Sequence, residues 1–217
     1  MLAAMDDPSG DLSTEPRRAA ELVRLAHQRL LGTASGLDDA QIRRASLLPE
    51  WSIGHVLTHL ARNADGHSRR LAAALRGADE PRYPGGAQQR RDEIDEGEGR
   101  PAAQILRDLQ ESCGRLDGVL AAMDAAGWPH PELLGRDSYG TIEEPAHRLR
   151  EVEMHHVDLG LEYTSADWPQ EYVAWDLPQL LATVPQRWGS LSSQRRLLAW
   201  LAGRADPQDA PQLDPWG

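Results

Sequence analysis

The chain has one cysteine, Cys113, and neither lysine nor phenylalanine. A single thiol cannot close an internal disulfide or build a cysteine-rich zinc site. With lysine absent, all 23 basic side chains are arginine; they face 34 acidic ones, for a net charge of −11. So acidic a balance argues against a general nucleic-acid binder and against a protein drawn to anionic membranes. No apolar run nears the roughly 18 residues that a membrane-crossing helix needs. The start, Met1-Leu2-Ala3-Ala4-Met5 followed by Asp6-Asp7, lacks both the basic beginning and the long apolar stretch of a secretory signal. Dinucleotide-binding glycine fingerprints, phosphate-binding loops and internal repeats are missing as well. The expectation is a soluble, acidic, cytoplasmic protein. Its 217 residues suit one domain, or one domain with a small appendage.

Ala, Leu, Arg and Glu, all good helix formers, dominate what is present. Ser13-Thr14-Glu15-Pro16 reads as a helix start with a hydroxyl cap, leading an apolar stripe through Leu22, Leu25, Ala26 and Leu30. Asp38 can cap a short helix to about Arg44. Ser52 caps a second long helix that runs to about Arg76. A breaker-rich stretch, Pro81 to Gly86, precedes a charged segment, Gln88 to Glu98. The spacing predicts a third long helix from Pro101 to about Met123 and a fourth from about Thr141 to Leu161. Four amphipathic helices joined by loops define an all-α four-helix bundle. The expected division is a flexible N-terminus over 1–13, a bundle over 14–163 and a small, mostly helical segment over 164–217. Five of the seven tryptophans fall after position 165, and their indoles are expected to pack that segment on the bundle.

Four of the eight histidines occur in two clusters, His55 and His59 on the second long helix and His155 and His156 on the fourth. Residues four apart share a helix face, so His55 lies with His59, and Glu151 with His155. An E-x-x-x-H pair and a histidine from a facing helix can close three ligands around one ion. Two imidazoles and a carboxylate with an open fourth position suit catalytic zinc, and iron or manganese accept the same donors. On an ordinary amphipathic helix the same residues are solvated or capped polar groups. Spacing leaves open whether His55 or His59 faces inward. His156 is about 100° round from His155, so the two cannot share an ion. No H-E-x-x-H metalloprotease motif and no G-x-S-x-G elbow occurs. Cys113, mid-helix with no histidine beside it, reads as a small buried residue.

The segment Leu48-Pro49-Glu50-Trp51-Ser52-Ile53-Gly54-His55-Val56-Leu57-Thr58-His59-Leu60-Ala61-Arg62-Asn63 resembles the N-terminal signature of the mycothiol-dependent maleylpyruvate isomerase family. Arg150-Glu151-Val152-Glu153-Met154-His155-His156-Val157-Asp158-Leu159-Gly160 is similar to that family's second signature. The resemblance extends from about residue 16 to 204 and includes Arg91-Asp92-Glu93-Ile94 and Ala202-Gly203-Arg204. It implies a DinB-like four-helix bundle. The family's first zinc ligand lies eight positions after the signature Trp, which from Trp51 is His59; the others fall on Glu151 and His155. Arginines that help hold substrate or thiol fall on Arg90 and Arg204.

The implied cofactors are zinc, or another divalent metal, and the low-molecular-weight thiol mycothiol. The implied reaction takes maleylpyruvate to fumarylpyruvate: the thiolate adds to the conjugated double bond, the resulting single bond rotates, and the thiol is eliminated. Asp158 or Glu153 is a candidate to orient a ligand imidazole. One departure stands out, because typical members carry a longer C-terminal part with strands, whereas about 55 residues follow Gly160 here and read as helical. Two other readings are a mycothiol S-transferase on the same scaffold and a non-catalytic metal-binding helical module.

Overall fold

A computed structural model of the chain describes residues 11–134, 139–187 and 191–204. The helices are α1 (Pro16–Ala34), α2 (Asp39–Ile42), α3 (Ile53–Ala74), α4 (Gly86–Glu98), α5 (Ala102–Ala126), α6 (Glu144–Asp158), α7 (Gln170–Arg187) and α8 (Leu191–Leu201). No β-strand occurs among the described residues; one isolated bridge joins Ala45 and Ser52. None of the described helices is long and apolar enough to cross a membrane. The chain divides into two compact units, Met1–Tyr172 and Val173–Gly217. In the first, α1, α3, α5 and α6 form the bundle, closing a ring in which α3 packs on α5 and α6, and α1 on the same two. In the second, the described elements are the remainder of α7 and α8.

Local chemistry explains several helix ends. The Ser52 hydroxyl accepts from the His55 amide at 3.2 Å while the Ser52 amide donates to His55 Nδ1 at 3.1 Å, a reciprocal cap that starts α3. Asp38 and Gln41 cap α2 in the same way. The hydroxyl cap expected for α1 does not form. Thr14 Oγ1 donates to the Asp11 carbonyl and the Ser13 amide to the Asp11 carboxylate, so a turn centred on Asp11 takes both groups and leaves Glu15 at the cap without a side-chain bond. Residues 1–10 of the expected flexible N-terminus lie outside the described residues, and Leu12 in that turn is buried. The fourth long helix is shorter than its periodicity suggests. Thr141–Glu143 form a 3-10 turn, and α6 stops at Asp158 because Gly160 adopts φ +63°, a left-handed conformation that glycine tolerates at no steric cost.

The charged segment after the breaker forms a helix of its own, α4, although only Ile94 and Gly97 are buried on it. Gly97 permits this packing: a Cβ there would lie 2.4 Å from Thr58 Cγ2 of α3. Of the C-terminal tryptophans, Trp168 donates its indole N–H to the Glu153 carbonyl on α6 at 3.1 Å, and Trp200 is exposed. Trp188 and Trp216 lie outside the described residues.

Between α3 and α6 the apolar core gives way to a polar seam. Glu144, fully buried, accepts from Arg70 and His67. Burial alone would raise its carboxyl, but His67, Arg82 and Arg70 together hold it below its ordinary range and ionised. One turn on, Arg148 donates to the Leu60 carbonyl at 3.1 Å, to Asn63 Oδ1 at 2.7 Å and to His27 Nε2 at 3.2 Å. Because His27 Nε2 accepts, its Nδ1 carries the proton and donates to Asp117 at 2.8 Å. Burial keeps that imidazole neutral, with its pKa lowered to about 4.

Candidate metal centre

The next rungs of the seam bring His59, Glu151 and His155 together. One ligand atom from each lies within 4.8 Å of the others. His59 Nε2 is 3.0 Å from Glu151 Oε2, and His155 Nε2 is 3.8 Å from the same oxygen. The two imidazoles meet edge to face with centroids 4.7 Å apart, and the Trp51 indole stands against His59 at 5.7 Å. Burial lowers the His59 pKa to about 4, so the ring is neutral at physiological pH. Burial would raise Glu151, but the hydrogen bond from His59 and the neighbouring His59, His155 and His67 rings together hold it below its ordinary range and keep the carboxylate ionised. His155 donates from Nδ1 to Asp158 Oδ2 at 2.8 Å, which turns its Nε2 toward Glu151.

The other residues of the two clusters are used elsewhere. His55 serves the α3 cap and stacks on Trp51, which answers the question that spacing left open. His156 bonds Thr33 through Nε2 at 2.8 Å and stacks on Tyr163, away from His155. Of the two orienting candidates only Asp158 meets a cluster imidazole. Glu153 is buried against Arg29, at 2.6 Å, and the Tyr163 hydroxyl.

A cavity of about 370 Å³ opens beside the centre. His59, Glu151, Tyr83, Arg82 and Arg90 are among the side chains lining it. Arg90, on α4, donates to His59 Nδ1 at 3.2 Å. In that arrangement the His59 proton resides on Nε2 and is donated to Glu151. A cation taken up at Nε2 requires the other tautomer, with Nδ1–H, and Arg90 then has no acceptor there. Arg204 belongs to the second unit, where it is exposed and its guanidinium donates to the Ala202 carbonyl at 2.5 Å. Tyr83 and Arg82 were not singled out by sequence. Their signal was weak, an aromatic and an arginine in a Pro/Gly-rich connection between the helices that carry His59 and Arg90.

Cys113 is buried on α5, its thiol pushed up by burial and its sulfur 3.8 Å from Arg148 Nη2. A thiol so placed is inert. Native protein should therefore leave Cys113 unmodified by an excess of an aromatic disulfide reagent over hours, and denaturant should release one reactive thiol per chain. Rapid labelling without denaturant would contradict the burial.

A four-helix ring with His and Glu donors gathered at one end of a polar seam defines a DinB-like helical bundle. The chain belongs to the family described as the mycothiol maleylpyruvate isomerase N-terminal domain, whose model matches residues 23–160. Its structure is similar to the crystal structure of the mycothiol-dependent maleylpyruvate isomerase, with a TM-score of 0.73 and 26% identity over 81% of this chain and 73% of that one. A histidine-to-alanine mutant of that enzyme matches equally, at 25% identity and a TM-score of 0.73. No curated protein matches the chain in a sequence search.

Proposed function

We propose that the protein is a metal- and mycothiol-dependent cis–trans isomerase that converts maleylpyruvate to fumarylpyruvate. The observation that carries this reading is the meeting of His59, Glu151 and His155, the first two of which line a cavity together with Arg90, within a bundle of this family. The donor set fits a divalent cation: two imidazoles, which ligate in their neutral form, and one carboxylate offer ligand atoms that lie within 4.8 Å of one another. Zinc, or another divalent metal held by these three residues, would supply a positive centre that keeps a bound thiol in its thiolate form at neutral pH.

The chain's own residues set the conditions for that chemistry. Burial keeps His59 neutral and able to ligate, and Asp158 holds the His155 ring in the orientation that presents Nε2. The Trp51 indole covers His59 and limits the access of water to that ring. Arg90 is the proposed partner for a substrate carboxylate, since its fork can grip both oxygens. The role proposed for Arg204 rests on resemblance alone. Cys113 is enclosed, so the reacting sulfur has to come from a small-molecule thiol. The proposed setting is the cytoplasm, where such thiols are kept reduced, in the breakdown of aromatic compounds.

The test follows the conversion of maleylpyruvate by purified, zinc-loaded protein with and without mycothiol. Isomerisation that requires the thiol and leaves its concentration unchanged is the expected result. Isomerisation without the thiol would reject the reading. A stable thiol conjugate as the end product would make the protein a transferase.

A further inference from the structure

Tyr83 sits in the connection between α3 and α4 and lines the same cavity as His59, Glu151 and Arg90. Its hydroxyl is buried and has no hydrogen-bond partner. Buried polar atoms are almost always satisfied, so an unmet donor on a residue that lines a cavity calls for an acceptor from outside the chain. Phenylalanine would pack the same ring without that cost. The groups around it define the acceptor. Burial holds the Tyr83 phenol above its ordinary pKa, against the pull of Arg90 and with the push of Glu151, so it stays protonated and donates. The cavity wall carries two guanidinium groups, Arg82 and Arg90, while its one carboxylate, Glu151, is committed to His59. Arg82 is itself occupied, 3.3 Å from His67 Nε2 and over the Tyr139 ring.

We infer that the Tyr83 hydroxyl donates a hydrogen bond to a carboxylate oxygen of the substrate and, with Arg90, forms a two-donor clamp that selects carboxylate-bearing small molecules. This rests on the reading of the cavity as the substrate side of the metal centre. It adds a specificity-determining residue to that reading, and it can fail while thiol-dependent turnover stands.

Tyr83→Phe removes the hydroxyl and keeps the ring. Calorimetric titration of zinc-loaded wild type and variant with maleate, a cis-dicarboxylate, measures the clamp without catalysis. Maleate should bind the variant about 10- to 100-fold more weakly, the range for a hydrogen bond to a charged group. Its uncharged dimethyl ester should not distinguish the two proteins. Because the hydroxyl makes no bond within the chain, metal content should be unchanged and the thermal midpoint should stay at or above that of wild type. Equal maleate affinity in both proteins, or no maleate binding by wild type, overturns the assignment. So does a midpoint several degrees lower, which would show that the hydroxyl is satisfied internally. The maleylpyruvate assay judges the isomerase reading separately, since it depends on wild type alone.

Discussion

Substituting His59 by alanine should abolish stoichiometric metal binding. Wild-type protein prepared without chelators is expected to carry about one divalent ion per chain, held by three residues from two helices. Removing one of the three donors leaves a glutamate and a histidine on a single helix. The loss of affinity should exceed the 10- to 100-fold typical when only a partner of a ligand is lost. Asp158→Ala is the internal comparison. It removes the group that orients His155 and leaves every donor in place, so its affinity should fall by about 10- to 100-fold. Elemental analysis after dialysis, with helical content checked by circular dichroism, reads both variants. Undiminished metal in folded His59→Ala would mean that the ion sits elsewhere. Thiol-dependent turnover should fall in the same order as the metal content, His59→Ala below Asp158→Ala.

Glu144→Ala should be the most destabilising single change in the seam, by about 3–5 kcal/mol. The carboxylate is fully buried and answers Arg70 and His67, with Arg82 close enough to help keep it ionised. Its removal strands an arginine that is itself almost completely enclosed. The exposed pair Arg76–Glu80, bridged at 3.2 Å, provides the contrast: Glu80→Ala should change stability by less than about 1 kcal/mol. Guanidinium unfolding of the metal-free proteins compares the two without interference from the ion. If Glu144→Ala unfolds within 1 kcal/mol of wild type, the buried pairing is not what holds α6 to α3.

Most of the bundle was legible because its determinants are local. Ser52 and Asp38 announce caps, and the apolar spacing of α1, α3 and α5 announces their buried faces. α4 was not legible as a helix, since its two buried positions make no stripe and its place is set by packing on α3, where Gly97 meets Thr58 and Arg90 meets His59. The pairing of Glu151 with His155 follows from helical spacing. The choice of His59 over His55 does not, because both lie on the same face and only the cap at Ser52 withdraws His55 from it. Asp158 and Glu153 were equal candidates in sequence, and Arg29 and Tyr163, which claim Glu153, come from distant positions. Tyr83 looked like part of a breaker. Its unsatisfied hydroxyl is a property of the packed chain and is written nowhere in the order of residues.

The rungs of the polar seam run in opposite directions along the two helices. Glu144 meets Arg70 and His67, Arg148 meets Asn63 and the Leu60 carbonyl, and Glu151 meets His59. An apolar interface would tolerate a slide of one helical turn, about 5.4 Å, by repacking. Here such a slide in one sense carries Arg148 toward Arg70, cation against cation, and leaves Glu144 with no counter-charge. The seam therefore acts as a keyed registration between α3 and α6, and the alignment it enforces is the one in which His59, Glu151 and His155 converge.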